Sequence, residues 1–235
     1  MTLHIVSSTR VPQSEFGGTA LGRSILRLRK PPKLSIEYEN VGRLGLPEVY
    51  NAALQTADPS DTMLFVHDDV LLGDLDVVDT LEAALRRFDV VGVAGGKHRA
   101  AGQATWFGPL DTFEKSIRAG RLSGAVSHVL PKGEAVFSVY GPAPQEVKLL
   151  DGLFIAVMAA SLRAQRRGPG EPCRFDPQFR YHLYDIDFCR SAELNGLSLG
   201  TWFIPIIHFH EYGDGYRTPE WREAADLYLK KWEGP

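Results

Sequence analysis

Asp68 and Asp69 stand side by side where the apolar run Met63-Leu64-Phe65-Val66 ends, with His67 just before them. Two adjacent carboxylates repel each other and cost desolvation unless a cation or ligand hydroxyls compensate them. A hard, oxygen-preferring ion such as Mn²⁺ or Mg²⁺, itself holding a diphosphate, is the natural compensation. The plainer alternative has one Asp capping the following turn and the other solvated. Farther along, His208 and His210 share one face of an extended strand, because strand side chains alternate. Two imidazoles on one face, near a cation site, are better ligand candidates than a single histidine. His210 is preferred, since it adjoins the glycine-bearing loop 211–216, which could close over a ligand. Asp185 and Asp187 open another polar segment. By local rules Asp185 reads as a helix N-cap and Asp187 as a first-turn acid favoured by the helix dipole.

The elements that must hold these groups are legible as periodicity. Residues 63–66, entered from the polar loop 58–61, read as a buried strand of a parallel sheet, and ligands of open α/β sheets bind beyond such strand ends. Residues 3–7 and 34–38 read as the first two strands. Helices are expected over 17–29, 47–55, 76–88, 185–195 and 220–232. Residues 89–94 form a strand ending at Gly95-Gly96, where missing side chains allow close backbone approach. A buried strand follows at 153–158. Residues 199–209 read as a last strand carrying Pro205, which suits an edge or a bulge. Residues 100–148 are the least regular. Trp106 there is either a core residue or, if exposed, a platform for a sugar.

Three segments, in order, resemble the family 2-like glycosyltransferases of the GT-A fold. They are Tyr50-Asn51-Ala52-Ala53-Leu54 followed by Leu64-Phe65-Val66-His67-Asp68-Asp69, then Leu150-Asp151-Gly152-Leu153-Phe154-Ile155-Ala156, then Phe175-Asp176 with Tyr184-Asp185-Ile186-Asp187-Phe188-Cys189-Arg190 and His208-Phe209-His210. The resemblance implies an α/β, GT-A type, Rossmann-like mixed sheet, mostly parallel and flanked by helices. It implies one domain over 1–235, with a nucleotide-binding half to about residue 100 and an acceptor-binding, catalytic half after it. It also implies an inverting, metal-dependent, hexosyltransferase-like enzyme of polysaccharide or glycoconjugate synthesis. Such an enzyme moves a sugar from a nucleotide-diphosphate sugar, with a UDP-sugar the first expectation, to a saccharide or lipid-linked acceptor.

By the same resemblance Asp69 and His210 or His208 hold the ion, and Asp185 is the catalytic base, with Tyr184 where a Glu is common. Ser7, Ser8, Arg10, Glu39, Asn40, Asn51 and Asp68 meet the nucleotide. Gly95, Gly96, Trp106, Asp151 and Gly152 meet the sugars. Asp187 is then structural, reaching Arg190 or its own backbone. No Asp-Gly-Ser type turn follows the second strand, so the base stays open. Two alternatives stand beside this reading. A sugar nucleotidyltransferase would need a glycine-rich basic loop after the first strand, where only the distant Gly17-Gly18 is found. A silent nucleotide-sugar binding domain would keep the fold and lose the base, and the presence of both Asp69 and Asp185 argues against it.

Composition sets outer bounds. The chain has 235 residues, 44% of them hydrophobic, enough for a substantial core. A net charge of −3 gives no electrostatic reason to expect nucleic acid. No apolar run is long enough for a membrane span, the first residues read as a strand and not a leader, and two cysteines make no disulfide framework. A cytoplasmic location is expected. The basic cluster Arg23, Arg27, Arg29, Lys30 and Lys33 reads as a solvated helix end, or as peripheral contact with an anionic inner membrane face. A homodimer is left open.

Overall fold

The computed structural model describes residues 2–109, 112–130, 132–163, 173–209 and 218–234. Strand β1 (Thr2–Ser8) pairs in parallel with β2 (Lys33–Glu37) on one side and β3 (Asp61–Val66) on the other. Every residue of β3 is buried, as its apolar run demands. After β3 the chain turns at once into β4 (Val70–Leu72), which belongs to a second sheet. The same passage between sheets recurs. Strand β5 (Val90–Gly92) hands over to β6 (Ala94–Gly96), and after the hairpin β7 (Leu122–Val129) and β8 (Ala135–Gly141) come β9 (Gln145–Val147) and β10 (Leu149–Leu150). From β10 the chain crosses back into β11 (Phe154–Met158). Strand β12 (Leu199–Thr201) is likewise followed by β13 (Ile206–Phe209). The result is a seven-stranded sheet, β2-β1-β3-β11-β5-β12-β9, and a six-stranded one, β10-β6-β7-β13-β4 with β8 beside β7.

Both sheets are mixed, which corrects the expectation of a mostly parallel one. Strand β11 is antiparallel to β3 and to β5, and in the second sheet only β13 with β7 is parallel. The cause lies at the crossing from β10. It delivers the chain beside the carboxyl end of β3, so that Phe154 pairs with Val66 and β11 must run back the other way.

The helices are α1 (Ala20–Ile25), α2 (Leu46–Thr56), α3 (Val77–Leu85), α4 (Phe113–Arg118), α5 (Ala159–Arg163), α6 (Tyr184–Leu194) and α7 (Pro219–Glu233). The expected helix over 17–29 is shorter, because a 3₁₀ turn at Gln13–Gly18 precedes it and Thr19 caps α1 by accepting from Gly22 N–H. The expected strand 199–209 is broken into β12 and β13, with Pro205 in the break. Pro205 offers no N–H to a ladder, and its carbonyl accepts from Gly73 N–H. In α7, Trp221, Ala225 and Tyr228 face the core, with Leu229 and Trp232 partly buried against it. Among the basic cluster, Arg29 pairs with Asp76, Lys30 with Asp79 and Lys33 with buried Asp61. Among the described residues no helix is long and apolar enough to cross a membrane.

Candidate functional site

The paired carboxylates occupy the tight crossing between β3 and β4, closed by Val70 N–H donating to the His67 carbonyl. The neighbouring crossing, from β10 to β11, carries Asp151 and Gly152. The two are tied together where His67 N–H donates to the Leu153 carbonyl. Strand β13 lies antiparallel to β4, with His208 opposite Val70 and Phe209 N–H donating to the Asp69 carbonyl. Three chain segments distant in sequence therefore meet at one end of the first sheet.

There His67, Asp69 and His208 each offer one ligand atom, all within 4.8 Å of one another. His208 Nε2 stands 3.4 Å from Asp69 Oδ2. Asp69 Oδ1 is buried without a hydrogen-bond partner. Burial alone would push the Asp69 carboxyl up, but the hydrogen bond from His208 and the positive potential of both imidazoles hold it below its usual range. For His208, burial works against the charged form, and hydrogen bonding to Asp69 with the charges of Asp69 and Asp151 outweighs it, raising the imidazole. Asp68 is tied differently, its Oδ2 accepting from Thr9 Oγ1 at 2.5 Å. The preferred ligand His210 and the loop 211–216 lie outside the described residues.

Helix α6 supplies the second part. Its N-cap position is Leu183 in the left-handed region (φ 62°), so Asp185 sits in the first turn and not at the cap. That backbone conformation is costly for a branched residue. It lets α6 begin with Tyr184 buried among Tyr50 and Phe175. The Tyr184 hydroxyl donates to the Gly152 carbonyl at 3.1 Å and lies 2.7 Å from His67 Nε2. Asp185 Oδ2 accepts from Gly152 N–H at 2.9 Å. Burial, and then the nearby charge of Asp151, push the Asp185 carboxyl up to about 7, against the pull of backbone N–H groups. Gly152 is small for a reason: a Cβ there would lie 2.5 Å from the Tyr184 hydroxyl and 2.9 Å from Asp185 Cβ.

Asp187 has no part in this cluster. It is fully buried, accepting from Trp232 Nε1 and Lys231 Nζ, each at 2.7 Å. The expectation of a bond to Arg190 or to its own backbone is corrected by those partners, since only folding brings α7 against α6.

The expected nucleotide contacts divide. Ser7 is fully buried, Ser8 accepts from Asn40 Nδ2, and Arg10 and Glu39 are exposed. The Asn40 amide also bonds Leu44 through both its oxygen and its nitrogen. Asn51 uses both ends of its amide on the Phe175 backbone. The amides of these two asparagines are hydrogen-bonded to the protein's own groups. Gly95 and Gly96 do permit close approach, but of the protein's own backbone: a Cβ would meet the Leu149 carbonyl at 2.5 Å and the Trp106 carbonyl at 2.0 Å, respectively. Trp106 is buried against Phe107, Phe113 and Tyr140. With Gly96, His98 and Arg121 it lines a cavity of about 350 Å³ whose lining includes none of Asp69, Asp151 and Asp185. Two residues of the cluster were missed at the level of sequence, Thr9 and His67. For His67 the signal was present, as an imidazole adjoining the carboxylate pair.

No protein-family model matches the chain, and no curated protein matches it. A solved structure described as "Crystal Structure of A197 from STIV" is similar over 90% of this chain and 87% of that one, at 11% identity and a TM-score of 0.46. A likeness that distant transfers no function.

Proposed function

We propose that this chain is a cation-dependent glycosyltransferase of GT-A type, acting on a nucleotide-diphosphate sugar with inversion. The observation that carries the reading is the meeting of a cation-ready trio, His67, Asp69 and His208, with a second carboxylate, Asp185, raised to about 7. The trio fits a divalent ion, because Asp69 Oδ1 is buried and unpartnered and a coordinating cation would satisfy it. When bound, that ion offsets the diphosphate charge as the leaving group departs.

The protein's own groups supply the rest. Asp185, near half-ionised at neutral pH, takes the proton of the acceptor hydroxyl as that oxygen attacks the anomeric carbon. Gly152 N–H holds its carboxylate in place. Asp151, half-buried beside it, keeps one oxygen on Leu153 N–H and offers the other to a sugar hydroxyl. Asp68, steadied by Thr9, accepts from ribose or sugar hydroxyls in the same way. With one base and a single in-line displacement, the acceptor oxygen attacks from the face opposite the departing diphosphate, and the anomeric centre is inverted.

The test is transfer, or slow hydrolysis, of UDP-, GDP- and dTDP-sugars with divalent ions and in EDTA. Turnover that needs the ion and disappears in Asp69→Asn is expected. Consumption of a nucleoside triphosphate with a sugar phosphate instead would identify a nucleotidyltransferase, and binding without turnover a silent domain.

A further inference from the structure

We infer that His67, Asp69 and His208 form a centre selective for a nitrogen-preferring late first-row ion, of the zinc or cobalt kind, over Mg²⁺ and Mn²⁺, and that Tyr184 is the residue that sets His67 as a ligand. The inference rests on the cation site of the proposed function, though not on the reaction assigned to it. Two of the three convergent donors are imidazoles. Imidazole nitrogen favours zinc, copper, iron and nickel, whereas Mg²⁺ and Mn²⁺ favour carboxylate, carbonyl and water oxygens. A site built for Mg²⁺ would be expected to hold the ion through carboxylates and water. Here the second carboxylate of the pair, Asp68, is engaged by Thr9.

The hydrogen bonds of Tyr184 bear directly on the tautomer of His67. A carbonyl only accepts, and the arrangement we assign places the one proton of the Tyr184 hydroxyl on the Gly152 oxygen, 3.1 Å away. In that arrangement the same oxygen accepts from His67 Nε2, at 2.7 Å. A neutral His67 in this tautomer carries its proton on Nε2, and Nδ1 keeps a lone pair for a cation. Metal-binding histidines commonly have their other ring nitrogen fixed this way, and loss of such a partner costs about 10–100-fold in metal affinity. Tyr184 can hold this geometry because it is buried, its ring between Tyr50 and Phe175 and its hydroxyl against Gly152.

The experiment is direct titration of the metal-stripped full chain with Zn²⁺, Co²⁺, Mn²⁺ and Mg²⁺, read by chelator competition and by the visible absorption of bound Co²⁺. One Zn²⁺ or Co²⁺ per chain should resist a roughly thousandfold excess of Mg²⁺, given the ligand preference. His67→Gln should weaken Zn²⁺ at least about tenfold and change the Co²⁺ spectrum, and Tyr184→Phe should weaken Zn²⁺ by about 10–100-fold. Circular dichroism of each metal-free variant checks the fold, and the ion competition on the unaltered chain needs no variant at all. Mg²⁺ or Mn²⁺ binding as tightly as Zn²⁺, or His67→Gln without effect on Zn²⁺, overturns the inference. If Zn²⁺ binds as expected but no nucleoside diphosphate binds with it, the centre stands and the glycosyltransferase reading falls. If UDP binds through Asp69 with Mg²⁺ alone and ignores His67→Gln, the opposite holds.

Discussion

At the scale of single residues, the two acids of the Tyr-Asp-Ile-Asp segment have unlike environments and therefore unlike predicted behaviour. Burial, and then the charge of Asp151, raise the Asp185 carboxyl to about 7, against the pull of the Gly152 N–H that it accepts from. If it is the base, kcat/KM should rise with pH through about 7 and level off. Asp185→Asn should lose about 10²–10⁴-fold in turnover together with that limb of the profile. Stability runs the other way. A carboxyl whose folded-state value is raised makes the folded state bind more protons, so its contribution is full below the unfolded value near 4 and is lost as pH rises through about 7. Thermal melts of wild type against Asp185→Asn across pH 4–8 should show that divergence. Asp187 is buried with Trp232 and Lys231 as partners, and removing one member of a buried pair is costly. Asp187→Ala should destabilise by about 3 kcal/mol, measured by urea unfolding, well above the ~0.5–1 kcal/mol of a helix-dipole acid. An Asp187→Ala chain as stable as wild type would mean that this ion pair contributes nothing.

At the scale of elements, the crossings between the sheets do the positioning. The β3–β4 turn presents Asp68 and Asp69, the β10–β11 crossing presents Asp151 and Gly152, and the start of α6 closes on both through Tyr184 and Asp185. Gly152 is the hinge of this contact, since any Cβ would overlap Tyr184 and Asp185. Gly152→Ala is expected to shift both groups, because the added Cβ would lie 2.5 Å from the Tyr184 hydroxyl and 2.9 Å from Asp185 Cβ. Activity should fall by more than about tenfold, the size of effect that about 1.4 kcal/mol of lost positioning produces. Activity and near-ultraviolet circular dichroism on the same sample separate displacement from unfolding. An active Gly152→Ala would show that the contact is packing only.

At the scale of the whole molecule, binding to the folded chain alone must raise its melting temperature. A nucleoside diphosphate at roughly 100 times its Kd, with the cation, stabilises by about 2.7 kcal/mol. For a chain of this size that is roughly 2–4 °C per kcal/mol. The shift should vanish in EDTA and in Asp69→Asn, and an equal shift in EDTA would remove the cation from the account.

What sequence alone determined was local. The buried run 63–66, the helices at 47–55, 76–88, 185–195 and 220–232, and the carboxylates at strand ends follow from periodicity and from the cost of placing charge beside apolar residues. Strand direction was beyond it: β11 is antiparallel because of where the β10 crossing delivers the chain, and no periodicity within residues 154–158 encodes that. So were the partners of polar side chains. Asn51 and Asn40, expected from the resemblance to meet the nucleotide, bond Phe175, Leu44 and Ser8 in the fold, while Thr9 and His67 meet partners 59 and 117 residues away. A side chain's chemistry is written in its type, but which atoms satisfy it depends on contacts between distant segments, and only the folded chain decides those.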